Sequence, residues 1–230
     1  GAMFSALEVV PLVLLGFEAA ENYRHSHATS WMRSYRWPVL FFVAVAFWNL
    51  VGAGLFGFII NPPISLYYLQ GLNTTPNHGH AALFGVYGML GIGLMLFCLR
   101  GLSAPLAWKD KLLGPAFWLL NIGLVGMTFF ALLPAGIYQA WASISQGMWY
   151  ARSPEVIHSP WMEAFVWLRV PGDIVFAGGA VLLGLFVYCL WRGSRHAATA
   201  SMAGLAESPA ANPVSARPAI TPSAHGSEQA

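Results

Sequence analysis

Charged residues are scarce in this sequence of 230 residues. Only 9% of the positions are Asp, Glu, Lys or Arg, and 57% are hydrophobic, whereas ordinary globular domains carry about 25% charged residues. The net charge of +2 is also too small and too dispersed for a nucleic-acid-binding surface. This composition predicts an all-α, polytopic membrane helix bundle embedded in a lipid bilayer.

Cysteine is rare as well. Cys98 and Cys189 both lie within apolar runs, without the spacing of a disulfide framework or a metal site. We expect both to be small buried apolar side chains. The N-terminus lacks the basic region and the cleavage site of a signal peptide, and it is apolar from Ala2 onward. We therefore expect the chain to be the C-terminal part of a longer protein.

Five long apolar runs predict five transmembrane helices, because one crossing of a bilayer takes about 20 residues. The predicted spans are approximately 2–23, 39–60, 78–99, 115–138 and 172–192. The segment 196–230 changes to Ala, Ser, Pro and Thr with almost no large apolar residue. We expect this tail to be disordered.

Basic residues are unevenly distributed among the connections between these spans. They occur in 24–37, in 100–111 and at Arg192 and Arg195, whereas the connection 62–77 carries no charge. The positive-inside rule therefore places the basic connections and the C-terminal tail in the cytoplasm. Polar residues near the starts of the first, third and fifth spans then share the outer layer of the membrane.

The most unusual motif is Asn77-His78-Gly79-His80, which opens the third apolar run. Helical residues turn by about 100° each, so His78 and His80 point roughly 200° apart. They therefore cannot share one metal ion as an i, i+4 pair can. They suit a helix between two cofactors, each accepting one imidazole nitrogen, and haems are the natural candidates. The alternative is that both histidines hydrate a helix start at the membrane interface.

Three further polar residues are candidate site residues. Glu8 lies inside the first apolar run, where a carboxyl must face protein or a water-filled cavity. It is a candidate proton carrier, or else a structural carboxyl bonded to a neighbouring helix. Arg169 and Asp173 precede the fifth predicted span. Asp173 is suited to capping that helix, and the alternative is that these residues meet a haem propionate or a polar headgroup at the membrane edge.

Three stretches carry a resemblance to a known family. They are residues 4–12, 75–85 and 167–173, with the sequences FSALEVVPL, TPNHGHAALFG and WLRVPGD. Together they resemble the catalytic subunit of the respiratory nitric oxide reductases, in the haem-copper oxidase superfamily, from the first residue to about Arg195. The second stretch looks more like the single-chain, quinol-oxidising branch than the branch that receives electrons from cytochrome c.

The resemblance implies a role for each candidate residue. His78 would be the proximal ligand of the high-spin haem b3, and His80 would be one axial ligand of haem b. Glu8 would lie near a non-haem iron, for proton supply or for tuning that iron, and Asp173 would belong to a quinol site. The ligands of the non-haem iron and the second histidine of haem b would lie on N-terminal helices that are missing from this sequence.

The resemblance also implies an enzymatic activity. The complete protein would reduce two NO molecules to N2O and water in the bacterial inner membrane, with electrons from quinol or cytochrome c passing through haem b. This segment alone would be inactive. The alternatives are an oxygen-reducing member of the same superfamily, a non-catalytic membrane haem or transport subunit, and a truncated copy that never assembles.

Overall fold

The chain forms a bundle of helices in the computed structural model, which describes residues 2–26, 30–103 and 108–207. In chain order the helices are α1 (Ala2–Ser26), α2 (Ser30–Ser34), α3 (Arg36–Ile60), α4 (Pro63–Leu69), α5 (Thr74–Leu102), α6 (Asp110–Gln146), α7 (Pro154–Ile157) and α8 (Pro160–Glu207). Tyr150–Arg152 forms a short 3-10 turn. Every regular element in these described ranges is helical, which confirms the all-α prediction.

Four of the described helices are long and apolar enough to cross a bilayer. They are α3, α5, α6 and the Pro160–Arg195 part of α8. These helices contain most of the second to fifth predicted spans, so the polytopic bundle is confirmed. The first predicted span falls on α1, whose 25 residues have sufficient length for a crossing. Membrane insertion of α1 stays a prediction.

The structure extends the last two spans beyond their predicted bounds. α6 continues past Pro134 to Gln146, although we expected Pro134 to lie near its end. The π-helical stretch Gly126–Leu132 directly precedes this proline. Local π-helical adjustments compensate for the backbone donor that proline lacks, which explains why the helix continues.

Pro171 lies inside α8 rather than before it. The adjacent Gly172 packs so closely on α6 that an added Cβ would lie 2.8 Å from the backbone nitrogen of Met127. Gly123 of α6 makes the reciprocal approach, since its Cβ would lie 2.5 Å from the backbone nitrogen of Phe176. Small residues permit such contact between helix backbones in membranes. This packing supports α8 through the proline, so the helix begins at Pro160 and not at residue 172.

α8 also continues beyond Arg195 to Glu207, where we expected disorder. This extension is rich in alanine, the residue with the highest helix propensity. The helix therefore needs little packing to persist past the apolar segment. The remaining part of the predicted tail, 208–230, lies outside the described residues.

The two cysteines differ from expectation. Cys98 is exposed and Cys189 is partly exposed, so neither is a fully buried side chain. Both lie on apolar membrane-spanning helices, whose outer faces meet lipid tails as apolar as the protein core. Apolar sequence context therefore did not distinguish burial in protein from exposure to lipid.

The core lies where α3, α5 and α6 meet. Trp48 of α3 is fully buried, and its Nε1 donates to Oδ1 of Asn121 on α6 at 3.0 Å. An added Cβ on Gly85 of α5 would lie 2.5 Å from Cγ of the same tryptophan. An added Cβ on Gly52 of α3 would lie 2.6 Å from Cβ of Ala81. These close approaches fix the N-terminal half of α5 against α3.

Three of the long helices contain π-helical stretches. They are Asn49–Phe56 in α3, Ala81–Gly88 in α5 and Gly126–Leu132 in α6. The first two pack against each other through Gly52 and Ala81. Since π-helical turns occur frequently at functional sites, these stretches point to the region around the start of α5.

Candidate functional site

The histidine motif lies in the first two turns of α5, which begins at Thr74 rather than at His78. α6 holds this helix start in place. An added Cβ on Gly136 of α6 would lie 2.7 Å from the backbone nitrogen of Thr74. The close contact leaves little freedom for α5 to shift along α6, so the position of the motif is determined by packing.

A buried glutamine completes this attachment. Oε1 of Gln139 on α6 accepts hydrogen bonds from the backbone nitrogen and from Nδ2 of Asn73, both at 2.9 Å. Nε2 of Gln139 donates to the carbonyl oxygen of Ala151 at 3.3 Å. One side chain thus connects the residue before α5 to the connection between α6 and α8. The sequence analysis missed Gln139, because its partners are distant along the chain.

His78 contacts α3. Its Nδ1 lies 2.8 Å from the carbonyl oxygen of Gly52, and an added Cβ on Gly57 would lie 3.1 Å from Cε1 of the imidazole. A carbonyl oxygen only accepts, so Nδ1 donates and the neutral ring keeps a lone pair on Nε2. Imidazoles that bind metals usually donate their second nitrogen to a group of this kind.

His80 contacts α8 instead. Its Nδ1 lies 2.8 Å from the carbonyl oxygen of Pro76, and its Nε2 lies 3.1 Å from Nη2 of Arg169. Because a guanidinium only donates, Nε2 accepts and Nδ1 carries the proton. His80 therefore has the same tautomer as His78, with the lone pair on Nε2.

Arg169 is in turn held by Asp173. Nε of Arg169 lies 3.3 Å from the Asp173 carboxylate, one helical turn further along α8, and both side chains are partly exposed. Since α8 begins at Pro160, Asp173 lies in the helix interior and does not cap a helix start. Its observed role is to orient the Arg169 guanidinium next to His80.

Two aromatic rings complete the contact between α5 and α8. The Phe84 ring lies 5.5 Å from the His80 imidazole, and the Phe176 ring lies 5.6 Å from Phe84. His80, Arg169 and Asp173 thus form a polar group beside an aromatic pair. The imidazole is surrounded by apolar rings on one side and a cation on another.

The structure brings most of the predicted site residues together. His78 and His80 contact different helices, α3 and α8, as expected for residues on opposite sides of α5. Arg169 and Asp173 join His80, which the spacing of the sequence did not require. The Glu8 side chain lies outside the described part of the structure. Its backbone belongs to α1.

The donor set fits axial ligation of haem iron at both histidines. Each imidazole has Nδ1 engaged with a backbone carbonyl and a lone pair on Nε2. Within the described ranges, no group of three or more His, Cys, Asp or Glu residues is arranged to hold a metal ion. What this part of the chain offers is a single imidazole on each side of α5, which suits a metal that receives its other ligands from a macrocycle.

The chain is similar to known membrane oxidoreductases. A family model described as "Cytochrome C and Quinol oxidase polypeptide I" matches residues 1–175. A nitric oxide reductase subunit from Stutzerimonas stutzeri is 29% identical over 195 residues, which are 82% of this chain and 38% of that protein. The chain therefore spans less than half the length of this curated relative. The family match includes His78, His80 and Asp173, and this multi-pass membrane protein belongs to the cytochrome c and quinol oxidase polypeptide I family.

Proposed function

We propose that this chain forms the C-terminal helices of a membrane nitric oxide reductase. The complete enzyme reduces two NO to N2O and water at a haem b3 and non-haem iron centre, with electrons arriving through haem b. The observation that carries the proposal is the placement of His78 and His80 on opposite sides of one helix, with the same tautomer. The similarity to the nitric oxide reductase of Stutzerimonas stutzeri supports NO as the substrate.

In this proposal His78 holds haem b3 and His80 holds haem b. The bound haems supply one-electron transfer and, at the high-spin iron, an open coordination position for substrate. The Gly52 and Pro76 carbonyls keep the Nδ1 proton in place and fix the orientation of each ring. Such outer hydrogen bonds increase the basicity of the ligand nitrogen.

Arg169 and Asp173 act at the edge of the haem b site. Nε2 of His80 has one lone pair, so it binds either an iron or the Arg169 guanidinium. With iron on that nitrogen, the guanidinium turns to a different acceptor, and a haem propionate is an acceptor of matching charge. Asp173 keeps Arg169 close throughout. The resemblance also suggests that Asp173 contributes to a quinol site.

The remaining assignments concern groups beyond the described contacts. Glu8 supplies protons to the reaction or tunes the non-haem iron, whose ligands lie on helices N-terminal to this segment. Quinol is the favoured electron donor, and cytochrome c is the alternative. The enzyme lies in the bacterial inner membrane with its basic connections and C-terminus in the cytoplasm.

The second candidate is an oxygen-reducing oxidase, which the description of the matching family favours. Both candidates use the same pair of histidines. They differ in the second metal, which is copper in the oxidases and is held by upstream helices. The substrate consumed by the complete protein therefore distinguishes them.

The test is made on the complete protein, expressed with its upstream helices and purified in detergent. We expect absorption and electron paramagnetic resonance spectra of one low-spin and one high-spin b haem, and one N2O formed for every two NO consumed. Consumption of oxygen without NO turnover would assign the oxidase. Two low-spin haems would indicate an electron conduit, and absence of haem would indicate a transport protein.

A further inference from the structure

Basic and aromatic side chains gather at the end of the bundle opposite the histidine motif. Arg36 is the first residue of α3, Asp110 is the first residue of α6, and Arg100 lies in the last turn of α5. In the sequence, segments 33–37 and 99–111 contain five basic residues and one acidic residue, Asp110. We call the five the basic cluster: Arg33, Arg36, Arg100, Lys109 and Lys111.

Asp110 connects the helices at this end. Its Oδ2 lies 3.1 Å from Nη2 of Arg36, and its Oδ1 accepts a hydrogen bond from Nε1 of Trp108 at 3.0 Å. Both carboxylate oxygens are therefore engaged. The single negative charge of these segments is offset by Arg36, which leaves the cluster strongly positive.

Two of the arginines are held against tryptophan rings. Cζ of Arg36 lies 5.0 Å from the Trp37 ring centroid, and Cζ of Arg100 lies 5.0 Å from that of Trp108. Nε of Arg100 also donates to the carbonyl oxygen of Ser34 at 3.0 Å. Guanidinium groups that are already oriented lose less conformational freedom when they bind a ligand. The arginines are thus prepared to bind an anion.

We propose that the basic cluster binds the phosphate headgroup of an anionic phospholipid. It lies at the ends of three membrane-spanning helices, where tryptophan rings typically meet the headgroup layer. Guanidinium groups match pairs of phosphate oxygens, and exposed Lys109 and Lys111 add charge at the same level. Basic residues at this depth attract anionic lipids in particular.

Lipid binding to the detergent-purified complete protein tests this proposal, with phosphatidylglycerol and phosphatidylcholine titrated separately and counted by native mass spectrometry. We expect tighter binding of phosphatidylglycerol. Each of the substitutions Arg36→Gln and Arg100→Gln should weaken that binding about fivefold. Arg192→Gln, at an exposed position of α8, makes the same charge change outside the cluster and should leave the affinity unchanged.

Three results would overturn the proposal. They are equal affinity for the two lipids, an unchanged affinity in both cluster variants, and an equal loss in Arg192→Gln, which would show a general charge effect. Displacement of the lipid by millimolar inorganic phosphate would also contradict it, because the site would then recognise free phosphate. If the arginine variants do not fold, the exposed pair Lys109→Gln and Lys111→Gln carries the same expectation.

Discussion

The Arg169 guanidinium lies 3.1 Å from Nε2 of His80, although 89 positions separate the two residues in the sequence. The contact joins α8 to the histidine motif of α5 and shows that the Nε2 lone pair faces a cation. In the proposed enzyme this cation stays near haem b, because Asp173 holds Arg169 from the same helix.

Removing the charge of Arg169 should lower the reduction potential of haem b. A nearby cation favours the reduced haem, which carries one positive charge fewer than the oxidised form. At about 8 Å and an effective dielectric constant of about 20, the interaction is on the order of 2 kcal/mol, or roughly 90 mV for one electron. A redox titration of Arg169→Gln in the complete protein measures this shift. Arg169→Lys keeps the charge and should shift the potential less.

Replacing each histidine separately should remove a different haem signal. In the complete protein, His80→Ala should abolish the low-spin haem spectrum and keep a ferrous haem that binds NO. His78→Ala should have the opposite effect, because the two imidazoles contact different helices. Absorption and electron paramagnetic resonance spectra measure both. If both signals persist in either variant, the assigned ligand is wrong.

Glu8→Gln should slow NO turnover without loss of haem. A proton carrier in the membrane contributes to the rate through its ionisable group, and such groups typically account for about 100-fold or more. An NO electrode and the haem absorbance provide the two measurements. Glu18→Gln, at an exposed position of the same helix, is the matched control. An unchanged rate would assign Glu8 a structural role.

Gly85→Ala should destabilise the bundle. The new Cβ would lie 2.5 Å from Cγ of Trp48, which is fully buried and cannot move away easily. Overpacking of this kind costs about 1–3 kcal/mol. Gly91→Ala in the same helix meets nothing within 4 Å and should stabilise α5 by up to about 1 kcal/mol. Thermal unfolding of the complete protein, followed by tryptophan fluorescence, compares the two.

Gln139→Leu should loosen the start of α5. It leaves the backbone nitrogen of Asn73 without its acceptor in a partly buried position, which costs about 1–3 kcal/mol. We expect a lower unfolding temperature and a smaller content of bound haem. Gln146→Leu at the exposed end of the same helix should change neither quantity. Equal effects in the two variants would contradict a positioning role for Gln139.

The orientation of the histidines was predictable because it depends only on local geometry. His78 and His80 are two residues apart in a helix, so the helical period alone places them on different sides. The composition likewise predicted apolar helices and their approximate centres. Both kinds of inference use neighbouring residues, and neither depends on how the helices pack.

The partners of these histidines were not predictable from the sequence. Gly52, Arg169 and Gln139 act across helix contacts that separate 26, 89 and 66 positions from their partners. Proline was misleading for the same reason. Pro171 marks a helix boundary in isolation, whereas close packing of Gly172 on α6 lets α8 continue. The local sequence does not reveal a compensation that a distant helix supplies.

Only Gly79 separates the two imidazoles on α5, so one rigid element carries both. A twist of this helix about its axis would swing one ring toward its pocket and the other out of its own. Neither site is free to adapt by itself. Any change that improves the geometry on one flank must be absorbed on the other, which makes the turn from Asn77 to His80 a shared mechanical constraint.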